Sequence, residues 1–296
     1  MLDLLLDLET QDPDDVLTLC LVAGHPRVRL RAVSLTPGSD DQVGLVRHVL
    51  ERLGHAHVPV GARDPGTGRP YVSGFHRRWL GGWSPAAPDG APEEILSAAL
   101  RSHPDAVMLT GGPVGNLRRL LETPGARLAR WVAQGGFAGD CLVAPEHRLA
   151  KFAGRDSCPT FNFNGDPPAA LHALDPQSPI GRRELVSKNV THGVAYDRDF
   201  HERLAPYRDR TAGLALIHEA MEVYLRRRPR GKLLHDPTAA CAAIDPAIAT
   251  WAEVEVYRDS GGWGARPAAG TATFITTALD HARLFDVLVG EDISAT

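Results

Sequence analysis

Short apolar runs alternate with longer segments of helical period along most of this chain. The run after Met1, interrupted only by Asp3 and Asp7, reads as a buried strand. Pro13 to Gly24 reads as a helix, with proline in its first turn and glycine at its end. Val28 to Leu35 follows as a strand, Asp40 to Leu53 as an amphipathic helix and His57 to Val60 as a short strand. This β-α-β-α-β alternation calls for a parallel sheet with right-handed crossovers. Pro92 to Ser102 and Leu117 to Leu121 read as helices, and Ala106 to Leu109, Leu128 to Ala133 and Leu185 to Val190 as strands. Helices are expected at Arg198 to Leu204 and Ala212 to Arg227, strands at Trp251 to Val256 and Thr271 to Ile275, and a closing helix at Thr277 to Val289. No repeat and no linker divides the chain. The expected fold is one α/β domain over residues 1–296, an open, mostly parallel sheet flanked by helices with a Rossmann-like core.

Some stretches break the pattern. Between Ala62 and Asp89, glycine, proline, arginine and tryptophan dominate without periodicity, so a long loop is expected. It reads either as solvated surface or as a lid carrying His76, Arg77, Arg78, Trp79 and Trp83, with His76 the candidate to face a pocket. Two strands run into glycine-rich turns, at Thr110 to Leu117 and Gln134 to Asp140, where a ligand can approach the backbone closely. Neither turn carries the Lys-Ser/Thr of a phosphate loop or the dinucleotide spacing. Asp166 before Pro167 reads as a helix cap, and Asn162 as a turn former or a reader of hydroxyls.

The densest chemistry follows the first strand, where Asp7, Glu9, Asp12, Asp14 and Asp15 fall within nine positions. Helix capping and dipole pairing account for one or two carboxylates, not for five. Like charges this close repel unless a cation lies among them. A hard divalent-metal site at the carboxyl end of the first strand is therefore expected, where ligands of parallel sheets bind.

Bulk composition narrows the function. With 43% hydrophobic and 23% charged residues, the 296-residue chain can bury an ample core. A net charge of -4 argues against a nucleic-acid surface. The four cysteines, Cys20, Cys141, Cys158 and Cys241, are scattered without a CxxC pair, which argues against a thiolate zinc site. The first residues lack a basic region and no apolar run could span a bilayer, so no signal peptide or membrane contact and a cytoplasmic location are expected. Lysine occurs only at Lys151, Lys188 and Lys232 beside abundant arginine, a bias that reads as base composition.

Four landmarks together resemble the nucleoside hydrolases of the inosine-uridine-preferring superfamily. The acid cluster is similar to the family's Asp-x-Asp-x-x-x-Asp-Asp signature. Gly112-Pro-Val-Gly-Asn116 resembles its Gly-Pro-Leu-Thr-Asn turn. Phe161-Asn-Phe-Asn-Gly-Asp-Pro-Pro-Ala-Ala170 resembles its Phe-Asn-x-x-x-Asp-Pro-Glu-Ala-Ala stretch, and His235-Asp236-Pro its late His-Asp pair. The resemblance implies a nucleoside-hydrolase-like fold and a calcium ion that binds the ribose hydroxyls and a water. Asp7, Glu9, Asp15 and Asp236 would be side-chain metal ligands, with a backbone carbonyl at Gly111 or Thr110. Glu9 would also take the water's proton, and His235 would protonate the departing base. Asp14, Ser39, Thr160 and Asn162 would face the sugar. The implied reaction is hydrolysis of a small nucleoside-like substrate's N-glycosidic bond by direct attack of the metal-held water, as in purine or pyrimidine salvage. Homo-oligomerisation stays open.

Departures from the family pattern leave alternatives. One extra residue separates Glu9 from Asp14, and Glu9 replaces an aspartate, so Asp12 could take its place at the metal. Ser39 stands for an asparagine. Thr160 stands for an acid facing the 5′-hydroxyl, which suggests a larger or negatively charged 5′ position. These changes also allow a non-catalytic ribosyl-ligand binding protein. A magnesium phosphohydrolase with Asp7 as nucleophile would need a separate lysine and a later acidic pair.

Overall fold

A computed structural model describes residues 1–291. Strand β1 (Leu2–Leu8) leads into helix α1 (Pro13–Gly24), β2 (Val28–Leu35), α2 (Asp40–Arg52) and the short β3 (Val60–Gly61). Next come α3 (Gly74–Leu80), α4 (Pro92–Ser102), β4 (Val107–Thr110), α5 (Gly115–Glu122) and β5 (Leu128–Gln134). They are followed by β6 (Ser157–Cys158), α6 (Phe161–Gly165), α7 (Pro167–Leu174), β7 (Ile180–Val186) and α8 (Lys188–Thr191). The chain continues through β8 (Ala195–Tyr196), α9 (Arg198–Leu204), α10 (Ala212–Leu225), β9 (Lys232–Leu233) and α11 (His235–Ile244). Last come β10 (Ala249–Asp259), β11 (Gly262–Pro267), β12 (Thr273–Leu279) and α12 (His281–Leu288).

Ten strands form one sheet in the order β3-β2-β1-β4-β5-β7-β12-β10-β11-β6. From β3 to β12 all neighbours are parallel, whereas β10, β11 and β6 continue the sheet antiparallel. The chain winds outward from β1 through β2 to β3, then crosses back to β4 on the other side of β1. That reversal opens a crevice beyond the carboxyl ends of β1 and β4. Asp7 sits there, opposite Ser34 on β2 and Thr110 on β4.

The leucines of β1 explain why it is central. Leu4, Leu6 and Leu8 pack into one apolar cluster and Leu5 into another, as the two-residue period of a strand requires. Full burial of each contributes roughly 1.5–3 kcal/mol. Helices α1, α10, α11 and α12 contribute to the first cluster, and α4, α5 and α7 to the second, so helices cover both faces. Helices α1 and α10 cross at two glycines. A Cβ on Gly213 would lie 2.3 Å from the Cys20 carbonyl oxygen, and one on Gly24 would lie 2.7 Å from the Gly213 Cα.

The expected open, mostly parallel sheet is present, and several elements differ in extent. Strand β3 lies at Val60–Gly61 rather than at His57 to Val60. Strand β7 ends at Val186, and the expected continuation to Val190 is instead helix α8. The charges in Arg182-Arg183-Glu184 hid its start. Glu184 is buried and bonded to Arg130 and Arg182, while the Arg183 guanidinium donates to the carbonyls of Ala173, Asp175, Ser178 and Ile180. Strand β12 continues to Leu279, and the closing helix waits for the Asp280 side chain, which accepts from the amides of Ala282 and Arg283. Strand β11 was not among the expected elements; Gly262, Gly264 and Pro267 interrupt any two-residue apolar alternation there.

The expected long loop contains helix α3, capped by the Ser73 hydroxyl, which accepts from the Phe75 amide. His76 lies on this helix and is 0% exposed, packed edge-on against Phe75 and tilted against Trp79. Neither ring nitrogen has a hydrogen-bond partner, although the carbonyls of Thr10 and Asp12 are close enough to favour its charged form slightly. Burial dominates and lowers its pKa from 6.5 to about 4. His76 is thus a packing residue behind the acidic turn, not a lid residue facing a pocket.

Two outcomes follow. Gly213→Ala should destabilise the fold by about 1–3 kcal/mol, because backbone must move to admit the methyl group; a thermal melt reads this as a lower Tm. Above pH 6.5 both folded and unfolded His76 are neutral; below it only the unfolded chain takes up the proton until pH nears about 4. Stability should therefore fall by up to about 3 kcal/mol across that window on this account. His76→Leu should match or exceed the parent's stability at pH 7 and flatten the Tm loss between pH 7 and 5.

Candidate active site

The carboxyl ends of β1, β4 and β5 meet the starts of α1 and α11 around a cavity of about 470 Å³. Glu9, Asp12, Asp14 and Asp15 form one wall with Gly111, His235 and Asp236. Gln134, Thr160, Phe161 and Asn162 line another side, with Lys188 and His192 beside them. Asp7 lies beneath the cavity, 0% exposed. Its Oδ1 accepts from Ser34 Oγ at 2.6 Å and from Asn116 Nδ2 at 2.9 Å, while Oδ2 has no partner. Burial raises its pKa to about 7. An Asp7 enclosed this way cannot serve as the exposed nucleophile that a phosphohydrolase needs.

Local sequence explains the crowding. Asp12 is the N-cap of α1 and Pro13 its first residue, so Asp14 and Asp15 occupy the first turn, as expected. The Asp12 amide donates to Asp15 Oδ2 at 2.9 Å. Asp14 Oδ2 accepts from the amides of His235 at 2.8 Å and Asp236 at 3.3 Å, so the N-termini of α1 and α11 are laced together by one carboxylate. Asp15 and Asp236 are both buried and adjacent. Burial raises both pKa values well above the ordinary range, reinforced at Asp15 by the charge of Asp236 and at Asp236 by that of Asp14. Glu9 is raised to about 7 by burial and by the charges of Asp7 and Asp12.

Glycine is needed on the β4 turn for the same reason. A Cβ on Gly111 would stand 3.0 Å from the Asp236 Cγ, and one on Gly112 would stand 2.9 Å from the Glu9 Cγ. Both acids therefore rest against bare backbone. The donor set is all oxygen: buried carboxylates, one unpartnered carboxylate oxygen and a glycine turn. Such a set suits a hard divalent cation. Among the described residues, no three His, Cys, Asp or Glu side chains converge closely enough to hold a metal ion as they stand.

The other expected residues divide. Asn162 donates through Nδ2 to the Gln134 carbonyl at 3.0 Å and its Oε1 at 2.9 Å, which leaves Asn162 Oδ1 uncommitted. Thr160 lines the cavity, 4% exposed, with its hydroxyl unpartnered. Ser39 is instead the N-cap of α2; its hydroxyl accepts from the Gln42 amide and donates to the Pro70 carbonyl at 2.7 Å. It does not border the cavity, and neither does His76. Asp166 caps α7 by accepting from the Ala169 amide, as expected. His235 Nδ1 lies 3.0 Å from the Thr191 hydroxyl, and its ring faces His192 at 4.8 Å. Burial lowers its pKa to about 4; Asp14 opposes this and three lysines reinforce it. At neutral pH His235 is therefore an uncharged imidazole, not the ready proton store suggested by an ordinary histidine.

Sequence reasoning missed Lys232, His192, Lys188 and Phe161. Lys232 Nζ lies 3.1 Å from Asp12 Oδ2 and 2.9 Å from Asp14 Oδ1. Burial works against its charge, but Asp14 and Asp12 outweigh that and hold its pKa above the ordinary value. Phe161 is 71% exposed on the cavity wall, unusual for a large apolar side chain. The scarcity of lysine was the one available signal for Lys188 and Lys232.

Known proteins share this fold. The fold matches a plant nucleoside hydrolase, PpNRh1, at 19% identity and a TM-score of 0.70, over 97% of both chains. It matches an inosine-uridine preferring nucleoside hydrolase from Bacillus anthracis at 18% identity and a TM-score of 0.71, over 98% of this chain and 99% of that one. An uncharacterised protein of Aquifex aeolicus (strain VF5) is 28% identical over 262 residues, 87% of either chain. The family model for inosine-uridine preferring nucleoside hydrolases matches residues 4–286, nearly the whole chain, which therefore belongs to that family of N-ribosyl hydrolases.

Proposed function

We propose that this hydrolase cleaves the N-glycosidic bond of a ribonucleoside or related N-riboside by direct attack of water, with a calcium ion at the carboxylate floor. One observation carries this reading: Asp7, Glu9, Asp15 and Asp236 are all buried and supply only hard oxygen donors, and burial holds Asp15 and Asp236 well above the ordinary carboxylate range, outweighing the nearby Lys232 charge at Asp236. Asp15, Asp236, Glu9 and Asp7 would hold the ion with the Gly111 carbonyl. When bound, such a cation neutralises these acids, grips vicinal hydroxyls and makes water more acidic. Glu9 takes the water's proton; its burial beside Asp7 and Asp12 makes it a stronger base than a free carboxylate. Asp12 is held at the rim by Lys232, which favours Glu9 for this role.

The sugar departs through an oxocarbenium-like state, which carboxylates around the ring stabilise. Asn162 Oδ1 and Asp14 orient ribose hydroxyls, and the exposed ring of Phe161 is available to stack on a base. His235 is uncharged, so it assists the leaving base by donating a ring N–H hydrogen bond. When Thr191 donates to Nδ1, the donor is Nε2.

Release of free base from a nucleoside panel, with and without chelator, tests the reading. Added calcium should raise the Tm of the parent by several degrees and support turnover. Asp15→Asn should abolish both; metal held at parental affinity would overturn its assignment as ligand. Glu9→Gln should lower kcat about 10²–10⁴-fold, whereas Asp12→Asn should cost far less. The reverse order would make Asp12 the base. Ligand binding with no base released across the panel would favour a non-catalytic ribosyl-binding protein.

A further inference from the structure

The chain has only three lysines, at positions 151, 188 and 232, and the fold gathers all of them at one cavity. Lys188 lines it, Lys232 pairs with acids on its wall, and Lys151 Nζ lies 2.5 Å from Nδ1 of His192, itself a lining residue. Among the described residues, only Lys232 of the three is paired with carboxylates. Lys188 Nζ donates to the Pro159 carbonyl at 2.8 Å, one residue before Thr160. Thr160 occupies the N-cap position of α6 yet does not cap it, and its buried hydroxyl has no partner. Thr160's unsatisfied buried hydroxyl is the costly group on this wall, and beside it stand two solvent-accessible ammonium groups that no carboxylate among the described residues neutralises, a pairing suited to an anion.

We propose that Thr160, Lys188 and His192 form an anion subsite, and that the substrate is an N-riboside bearing a 5′-phosphate. This rests on the N-ribosyl hydrolase reading, because the ribose orients the phosphate. With the hydroxyls on the carboxylate floor and the base toward His235 and Phe161, the remaining substituted position of the sugar is its 5′ carbon. Thr160 and Asn162 belong to the same turn, so the group beyond the ribose meets Thr160 and the ammonium above it. A phosphate carries about -1.5 to -2 charges and accepts several hydrogen bonds. Lys188 supplies a point charge, Thr160 a hydroxyl and His192 a ring N–H. Lys151, donating to His192 Nδ1, leaves Nε2 as the protonated nitrogen and so acts as a positioning residue. The lysine bias that reads as base composition thus has a spatial pattern composition does not explain.

Binding and turnover test this separately. By calorimetry, ribose 5-phosphate should bind the calcium-loaded parent at least tenfold more tightly than ribose. Lys188→Gln and Thr160→Glu should each reduce that ratio at least fivefold, with circular dichroism confirming the fold. In base-release assays, nucleoside 5′-monophosphates should exceed the plain nucleosides in kcat/KM by tenfold or more, chiefly through KM. Equal affinity for the two sugars, an unchanged ratio in both variants, or tighter binding of an N-riboside whose only anion is on the base would overturn the subsite. Retained phosphate-dependent binding without any base release would instead overturn the hydrolase reading and leave the subsite standing.

Discussion

Mutual repulsion among buried carboxylates is the constraint around which this fold is arranged. Asp7, Glu9, Asp15 and Asp236 come from β1, the turn after it, and the starts of α1 and α11, and all four are buried at one end of the sheet, where Glu9 feels the charge of Asp7 and Asp15 that of Asp236. Holding ionised acids there costs several kcal/mol each without compensation. The fold answers with hydrogen bonds to Asp7, with Lys232 beside Asp14, and with backbone amides aimed at Asp14. Asp15 and Asp236 lie against one another with burial dominating both, which makes their position the natural one for a cation. Apolar packing of β1 on both faces supplies the stability from which this strained group is maintained.

Most of the scaffold was readable from periodicity because β1, α1, β2, α2 and α4 have clean apolar faces and recognisable ends. Reading failed where burial was achieved by unusual means. Glu184 and Arg183 look like surface residues in the sequence, but their charges are satisfied by Arg130 and by four carbonyls respectively, so β7 passes through the core. In α3, isolated tryptophan and histidine gave no helical period, although Ser73 supplied a cap. The site shows the same division. Asp15, Asp236, Gly111 and Asn162 sit at element ends that short motifs mark. Ser39 and His76 were placed by correspondence and by composition; Ser39 instead caps α2 and bonds the Pro70 carbonyl, and His76 packs against the aromatic rings of its own helix. Lys188 and Lys232 were invisible because a lysine's partner is set by tertiary proximity, not by spacing.

Neutral and charged groups are sorted across the cavity. Acids occupy the side made by β1, α1 and α11, where the uncharged His235 also begins α11, while Lys188, Lys151 and the uncharged His192 gather on the other side. Such separation sets up a field across the cavity that favours a ligand positive at one end and negative at the other. An oxocarbenium-like sugar carrying an anionic substituent has that polarity, so binding and bond cleavage draw on one charge distribution.

The antiparallel extension of the sheet has a consequence for how such a site diversifies. Trp263 on β11 donates to Asn164 Oδ1 at 2.8 Å, and Asn164 donates in turn to the Gly261 carbonyl at 2.9 Å. The turn bearing Thr160, Phe161 and Asn162 is therefore buttressed by a hairpin nearly a hundred residues later in the chain. Tilting that hairpin would advance or withdraw an entire wall of the cavity while the acids across from it stayed still. Substrate range in this architecture can drift through substitutions that never touch a ligand, with the hairpin acting as an adjusting screw on one jaw of a vice.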